Sequence, residues 1–313
     1  MVTGYRKWLD KRIEELNQGA EVVQTESGFV EYERRGAAPY VLFFHGESSG
    51  YDSSFVNDHL VEAGFGCLSP SRPGHFRTPL STGRTYSEQV DAMAALLDVI
   101  GVEQVALHGV SAGGPLAIHF AVRHPDQTGA LLLTSAITTV YPYDFPLWGR
   151  VAVGSNVGSW LTFLLSEKFP KILLGEALKI ASTYTNDERN RMVDRILNTP
   201  SWIEFFRKAM ISSTPAGLLK SGFYNDLEQY KDIEKNGLPL EQINCPTLIV
   251  HGTADGDVKF IHAEMAHRRI PNAELHRMEG AYHLVWLSDL AEEMLHTQVE
   301  FLKAHFIRPK SEG

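Results

Sequence analysis

Residues 105–117, Val-Ala-Leu-His-Gly-Val-Ser-Ala-Gly-Gly-Pro-Leu-Ala, constrain this chain more than any other stretch. The opening apolar run, rich in β-branched and aliphatic residues, predicts a buried strand. It breaks into Gly-x-Ser-x-Gly and continues as Ala117-Ile118-His119-Phe120-Ala121-Val122, which predicts a helix. The pattern is strand, sharp turn, helix, with Ser111 at the apex. Such a turn needs glycine at 109 and 113, because a Cβ on either side of the strained serine would meet the strand or the helix. The free N–H groups of the helix start then face whatever negative charge develops beside Ser111 Oγ. A Gly-rich loop is the plain alternative, and the flanking strand and helix argue against it.

The rest of the chain repeats this alternation. Extended pieces near Glu21–Thr25 and 29–35, joined by Glu26-Ser27-Gly28, predict a hairpin. Strands are expected at 39–44, 66–69, 105–110, 130–134, 246–250 and 273–278. Helices are expected at 54–63, 86–100, 117–122, 260–270 and 290–306. This β-α rhythm demands a mainly parallel sheet with right-handed crossovers. An amphipathic helix over about residues 3–17 precedes it, with Tyr5, Trp8, Leu9, Ile13 and Leu16 at helical spacing. Packing on its own core is the expected role of that helix, and a dimer contact is the other use of its apolar face.

From about Thr138 to about Asn244 the rhythm stops. Helical patterns and prolines dominate, and no strand-like run is bounded by turns. The expected division is therefore a core of residues 1–137 and 245–313 interrupted by a helical cap, 138–244. The cap's aromatic residues (Phe145, Trp148, Trp160, Phe163, Trp202, Phe205, Phe206, Phe223 and Tyr224) suggest an apolar pocket, although many must form the cap's own core.

A serine hydroxyl is a poor nucleophile near neutral pH. It needs a histidine base, and the histidine needs a carboxylate to fix its tautomer. Two later strand exits supply both: His251-Gly252-Thr253-Ala254-Asp255-Gly256-Asp257 and Gly280-Ala281-Tyr282-His283. In parallel sheets such exits are where sites form.

With His45-Gly46 after the third strand, these segments resemble the α/β-hydrolase family over nearly the whole chain. The resemblance implies an α/β-hydrolase fold with a cap inserted after the sixth strand. It implies Ser111 as nucleophile, His283 as general base and then acid, and Asp255 as the orienting carboxylate, with Asp257 as its rival. The oxyanion hole would be the backbone N–H groups of Ala112 and Glu47, the Glu47 side chain pointing away. His45 and His251 are expected to brace loops, and His75 to be structural or exposed. Relatives that open epoxides or remove halides carry aspartate at the elbow, and relatives that trim N-terminal proline carry His-Gly-Gly-Pro-Gly. This chain has Ser111 and His-Gly-Glu-Ser-Ser-Gly.

The expected activity is that of a serine hydrolase working through an acyl-enzyme, foremost a carboxylesterase on small to medium apolar esters. A carbon–carbon bond hydrolase of the same fold is the alternative among enzymes, and a ligand sensor retaining the triad the alternative outside them. The expected partner is a small-molecule substrate, with no cofactor. No metal is expected, since His119/His124 and His262/His267 miss the i, i+4 spacing of a helical site. A net charge of −9 without a Lys/Arg cluster argues against nucleic acid. No apolar leader or membrane-length run occurs, so no membrane association is expected. Cys67 and Cys245 beside apolar runs suggest buried thiols in a reducing, cytoplasmic setting, and a monomer or homodimer is expected.

Overall fold

The structure is a computed structural model, and it describes residues 2–143 and 155–306. Eight strands form one sheet: β1 (Glu21–Thr25), β2 (Gly28–Arg35), β3 (Tyr40–Phe44), β4 (Gly66–Pro70), β5 (Val105–Val110), β6 (Thr128–Thr134), β7 (Thr247–Gly252) and β8 (Glu274–Met278). Their order is β1-β2-β4-β3-β5-β6-β7-β8. The β1–β2 and β2–β4 pairings are antiparallel, and every other pairing is parallel.

Side-chain alternation along the central strands divides the interior in two. Leu42, Phe44, Leu107, Leu131, Leu133 and Ile249 enter one core, while Val41, Phe43, Ala106, Leu132, Leu248 and Val250 enter the other. Both faces of a parallel sheet must be covered, which explains why these strands are apolar without a polar face. Helices α3 (Tyr86–Val99) and α4 (Gly114–Arg123) cover the first face, with α2 (Asp58–Glu62) on the second. Local chemistry sets the boundaries. A reciprocal Thr85–Glu88 capping box starts α3, and Gly101, at φ +69, follows its end.

Between β6 and β7 the chain leaves the sheet. Five helices follow among the described residues: α5 (Asn156–Lys168), α6 (Pro170–Ala181), α7 (Asn186–Asn198), α8 (Pro200–Ser212) and α9 (Lys220–Asn236). Proline occupies the first turn of α6 and α8, where its missing N–H costs nothing. The only β-contact among the described residues of this insertion is a single bridge from Ser182 to Asp255. Helices α10 (Ile261–Arg269) and α11 (Ala291–His305) then complete the two layers.

Helix α1 (Val2–Gly19) lies against the insertion. Tyr5 meets Trp160 edge-on at 5.7 Å, and Trp8 packs on Phe163 at 5.9 Å. Its apolar face is therefore engaged within the chain. The start of α9 is pressed on the loop after β4. Gly222 N–H donates to the Gly74 carbonyl at 2.9 Å, and Phe76 N–H donates to the Leu218 carbonyl at 2.8 Å. His75 is buried beneath, leaving no room for a side chain at 222.

The turn after β5 is closely packed against its neighbours. Ser111 adopts φ +52. A Cβ at Gly113 would come within 2.0 Å of the Phe44 carbonyl oxygen, and one at Gly109 within 2.8 Å of Ala117 Cβ. The 2.0 Å contact is with backbone, so it cannot be relieved by turning a side chain. Gly113→Ala should destabilise the protein by about 2–4 kcal/mol in denaturant unfolding, as overpacking against fixed backbone does. A variant with an unchanged midpoint would show that this turn is not held by that approach.

Candidate active site

The strand exits bring Ser111, Glu47, Asp257 and His283 to one cleft of about 280 Å³. Its apolar wall contains Phe55, Phe205 and Trp286. Phe205 stacks on Trp286 at 5.9 Å and meets Phe55 edge-on at 5.0 Å.

Asp255 is 1% exposed and aims one oxygen at His283, Oδ2 lying 2.8 Å from Nδ1. The other oxygen, Oδ1, accepts from the backbone N–H groups of Asp257 and Val258 at 3.0 and 2.9 Å. Its place is thus fixed by its own loop. His251 braces that loop, donating from Nε2 to the Val258 carbonyl at 2.7 Å and lying 3.3 Å from Asp255 Oδ2. The end of α6 ties the two loops together, because the Ala181 carbonyl accepts from Gly256 N–H and from His283 N–H.

Burial pushes the Asp255 carboxyl up, but the facing His283 charge and the bonds to both histidines hold it below its usual range. Burial likewise pulls His283 down. The Asp255 carboxylate and its hydrogen bond outweigh that, Asp257 adds to them, and the imidazole is raised to about 9. Asp257 is not a second orienter. Its Oδ2 lies 3.6 Å from His283 Nε2, the nitrogen opposite the one Asp255 holds, and its Oδ1 accepts from Tyr141 Oη.

The loop after β3 passes over the serine, such that a Cβ on Gly46 would sit 3.5 Å from Ser111 Cβ. The Gly46 carbonyl is gripped from three sides. His45 Nδ1–H donates to it at 2.8 Å, Ser49 Oγ at 3.1 Å and Arg72 Nη2 at 3.3 Å. A trans peptide sends its N–H opposite to its C=O, so holding this carbonyl fixes the direction of the Glu47 N–H. His45 is locked in one tautomer, since its Nε2 accepts from Arg72 N–H at 3.0 Å, and burial followed by the Arg72 charge keeps it neutral. His75 stands edge-on to His45 at 4.9 Å, fully buried, in a structural place.

The Glu47 side chain corrects the sequence expectation that it points away. It lines the cleft, accepting from Tyr230 Oη at 3.0 Å and Tyr143 Oη at 3.3 Å. Burial raises its carboxyl to about 8, with the Asp226 carboxylate adding to the shift and the Tyr230 bond opposing it. A buried carboxyl that finds hydroxyl donors nearby can turn inward at this cost, which the strand-exit pattern does not reveal.

Arg72 and Asp226 also escaped the sequence reading. Arg72, 1% exposed, makes a two-pronged pair with Asp226 of α9 at 3.0 and 2.7 Å. One signal was present. Phe223, Asp226, Tyr230 and Ile233 share one buried stripe of α9, and a charge inside an apolar stripe needs a buried partner. Of the insertion's aromatic residues, Phe205 faces the cleft, Phe206 is buried within the insertion, Trp160 and Phe163 meet α1, and Tyr224 is exposed. Phe145 and Trp148 lie outside the described residues.

No group of His, Cys, Asp and Glu among the described residues could hold a metal ion. No helix there is long and apolar enough to cross a membrane.

Comparison with known proteins places this geometry in context. The sequence model of the alpha/beta hydrolase fold matches residues 39–290. An uncharacterized hydrolase, YcgS of Bacillus subtilis, is 30% identical over 296 residues, covering 92% of this chain and 100% of that protein. An alpha/beta hydrolase fold protein from Nakamurella multipartita superposes with a TM-score of 0.85 at 30% identity, covering 91% of this chain and 99% of the other. A 2-hydroxymuconate semialdehyde hydrolase of Pseudomonas putida is 24% identical, covering 77% of this chain and 83% of that protein.

The different positions of the two aspartates can be read in the titration of His283. Asp255→Asn should lower the His283 pKa by about one unit or more, and Asp257→Asn by less, in an NMR titration of the ring protons. Equal shifts would contradict the unequal contacts. Because the folded pKa of about 9 lies above the ordinary 6.5, protonation of His283 stabilises the fold fully below about 6.5. That contribution is lost as pH rises through about 9.

Proposed function

We propose, from the premise that the chain belongs to the α/β-hydrolase family, that it is a serine carboxylesterase acting on apolar esters through an acyl-enzyme. The observation that carries this reading is the 2.8 Å contact between Asp255 and His283, whose ring shares one cleft with Ser111 on its strained turn. A histidine with a carboxylate on Nδ1 can take the serine proton at Nε2, and imidazolium formation is then stabilised by the same carboxylate.

Ser111 Oγ attacks the ester carbonyl as His283 accepts its proton. The carbonyl oxygen becomes an oxyanion between the N–H groups of Ala112 and Glu47, the latter oriented by the three donors on the Gly46 carbonyl. His283 returns the proton to the leaving alcohol. Water, deprotonated by His283, then attacks the acyl-enzyme and releases the acid and free Ser111.

The semialdehyde hydrolase relative favours a second reading, cleavage of a carbon–carbon bond in a ring-cleavage product. The lining of the cleft speaks for the ester. Its ionisable side chains are Glu47, Asp257 and His283, with no Lys or Arg among the described lining residues. A carboxylate-bearing ring-cleavage product would find no Lys or Arg to pair with there, whereas an apolar ester meets Phe55, Phe205 and Trp286.

Wild type and Ser111→Ala, assayed on p-nitrophenyl esters from acetate to palmitate, test this directly. The wild type should turn over short or medium esters, and the variant should lose about a thousandfold or more in kcat. Faster hydrolysis of a vinylogous diketone than of any aryl ester would favour the second reading instead. Since the base must be neutral, kcat/KM should climb with pH through the His283 pKa of about 9. Asp257→Asn should move that limb to lower pH.

A further inference from the structure

A second cavity, of about 260 Å³, lies beside the cleft and has no role in the chemistry above. Phe163 and Thr162 of α5, Met210 of α8, and Ser213, Thr214 and Leu219 beyond it form most of its wall. Ser213 lines both cavities. Ser48 lines the second, while its neighbours Glu47 and Ser49 line the first. The two spaces therefore meet beside the residue that supplies an oxyanion donor.

Half of the wall looks polar by residue type and is apolar in fact. Thr162 Oγ1 donates to the Gly158 carbonyl, Ser213 Oγ to Ala209 and Thr214 Oγ1 to Ile211. Ser159, also in the wall, donates through Oγ to the Asn156 carbonyl. These four O–H hydrogens are spent on their own helix turns, so these residues offer no donor to a ligand carbonyl or carboxylate, whose burial there would cost free energy. An apolar ligand gains the buried area of Phe163, Met210 and Leu219.

The chamber is also braced from outside the family's matched residues. Arg12 of α1, almost wholly buried, donates to the Thr214 and Ile211 carbonyls at 3.2 Å each, and pairs with Asp52 of the core. Trp8 backs Phe163. Helix α1 thus joins two chamber walls to the body of the molecule.

We infer that this chamber is the acyl-chain subsite, sized for a medium-length saturated chain. The inference rests on the ester reading and adds which half of the ester goes where. The leaving oxygen must take its proton from His283, so the alcohol lies on the His283 side. The chamber adjoins the cleft at Ser48 and the shared Ser213, on the oxyanion-loop side, and no residue of the His283 loop lines it. The acyl chain is the half that can enter it.

The experiment uses the full chain and two p-nitrophenyl-independent series: alkyl esters varied in the acyl part, and acetate esters varied in the alcohol part. Met210→Trp fills the chamber and Met210→Ala enlarges it. Met210→Trp should lower kcat/KM for octanoyl esters about tenfold or more while sparing acetyl esters, and Met210→Ala should move the optimum to longer acyl chains. Neither should alter the alcohol series. Unchanged acyl profiles in both folded variants, or a change confined to the alcohol series, overturns the assignment. Binding of octanamide, an uncharged acyl analogue, by calorimetry separates this from failure of the esterase reading. Binding that Met210→Trp abolishes supports the chamber even if no ester is turned over, and absence of octanamide binding to the wild type counts against it.

Discussion

A serine held in the left-handed region at the end of a buried strand is the condition on which the site depends. That backbone costs an ordinary residue roughly 1–2 kcal/mol, and it persists only where the surroundings allow nothing else. Here the surroundings are the close approach of Gly113 to the Phe44 carbonyl, the contact of Gly109 with Ala117, and the Ile137 N–H bonded to the Ser111 carbonyl at 3.0 Å. These contacts come from β3, α4 and the segment after β6. The turn is therefore only as good as the sheet, and the central parallel order of β3, β5 and β6 is what brings its three supports together.

Much of this was legible in the sequence because it is local. Apolar runs of strand length, the Thr85–Glu88 box and the glycines about Ser111 are written within a few residues of where they act. Strand exits are also legible, so residues at 45–47, 111, 255 and 283 could be expected at one edge. What the sequence hid is non-local. Arg72 and Asp226 are 154 positions apart, and nothing in either neighbourhood names the other. The inward turn of Glu47 depends on Tyr230, which helix periodicity alone assigns to packing, and on Tyr143, which lies in the irregular segment after β6. The two aspartates of the 255–257 loop are two residues apart, yet they face opposite nitrogens of one ring, a distinction of loop conformation rather than composition.

The charges near the cleft are arranged by burial as much as by pairing. Asp255 carries its charge against a histidine and two backbone N–H groups, while Glu47 meets tyrosine hydroxyls and is pushed toward its neutral form. Arg72 sits close by, with its charge answered by Asp226, and acts through hydrogen bonds to a carbonyl. Carboxyl groups in such different surroundings divide the work of orientation and lining without needing different residue types.

The buried Arg72–Asp226 pair also bears on how anything gets in. Breaking such a pair by removing one partner costs about 3–5 kcal/mol, and backbone bonds between Gly222 and Gly74 and between Phe76 and Leu218 add to the hold on α9. On the far side, the Ala181 carbonyl fastens the end of α6 to both the Asp255 and His283 loops. The insertion is thus fastened at α9 through Arg72 and Asp226, at α6 through the Ala181 carbonyl, and at the end of α8 through Arg12 and Asp52, and each of these holds opposes its swinging up as a single lid. Any entry to Ser111 that spares these holds moves only the spans between them and leaves the Asp255 and His283 loops where Ala181 keeps them.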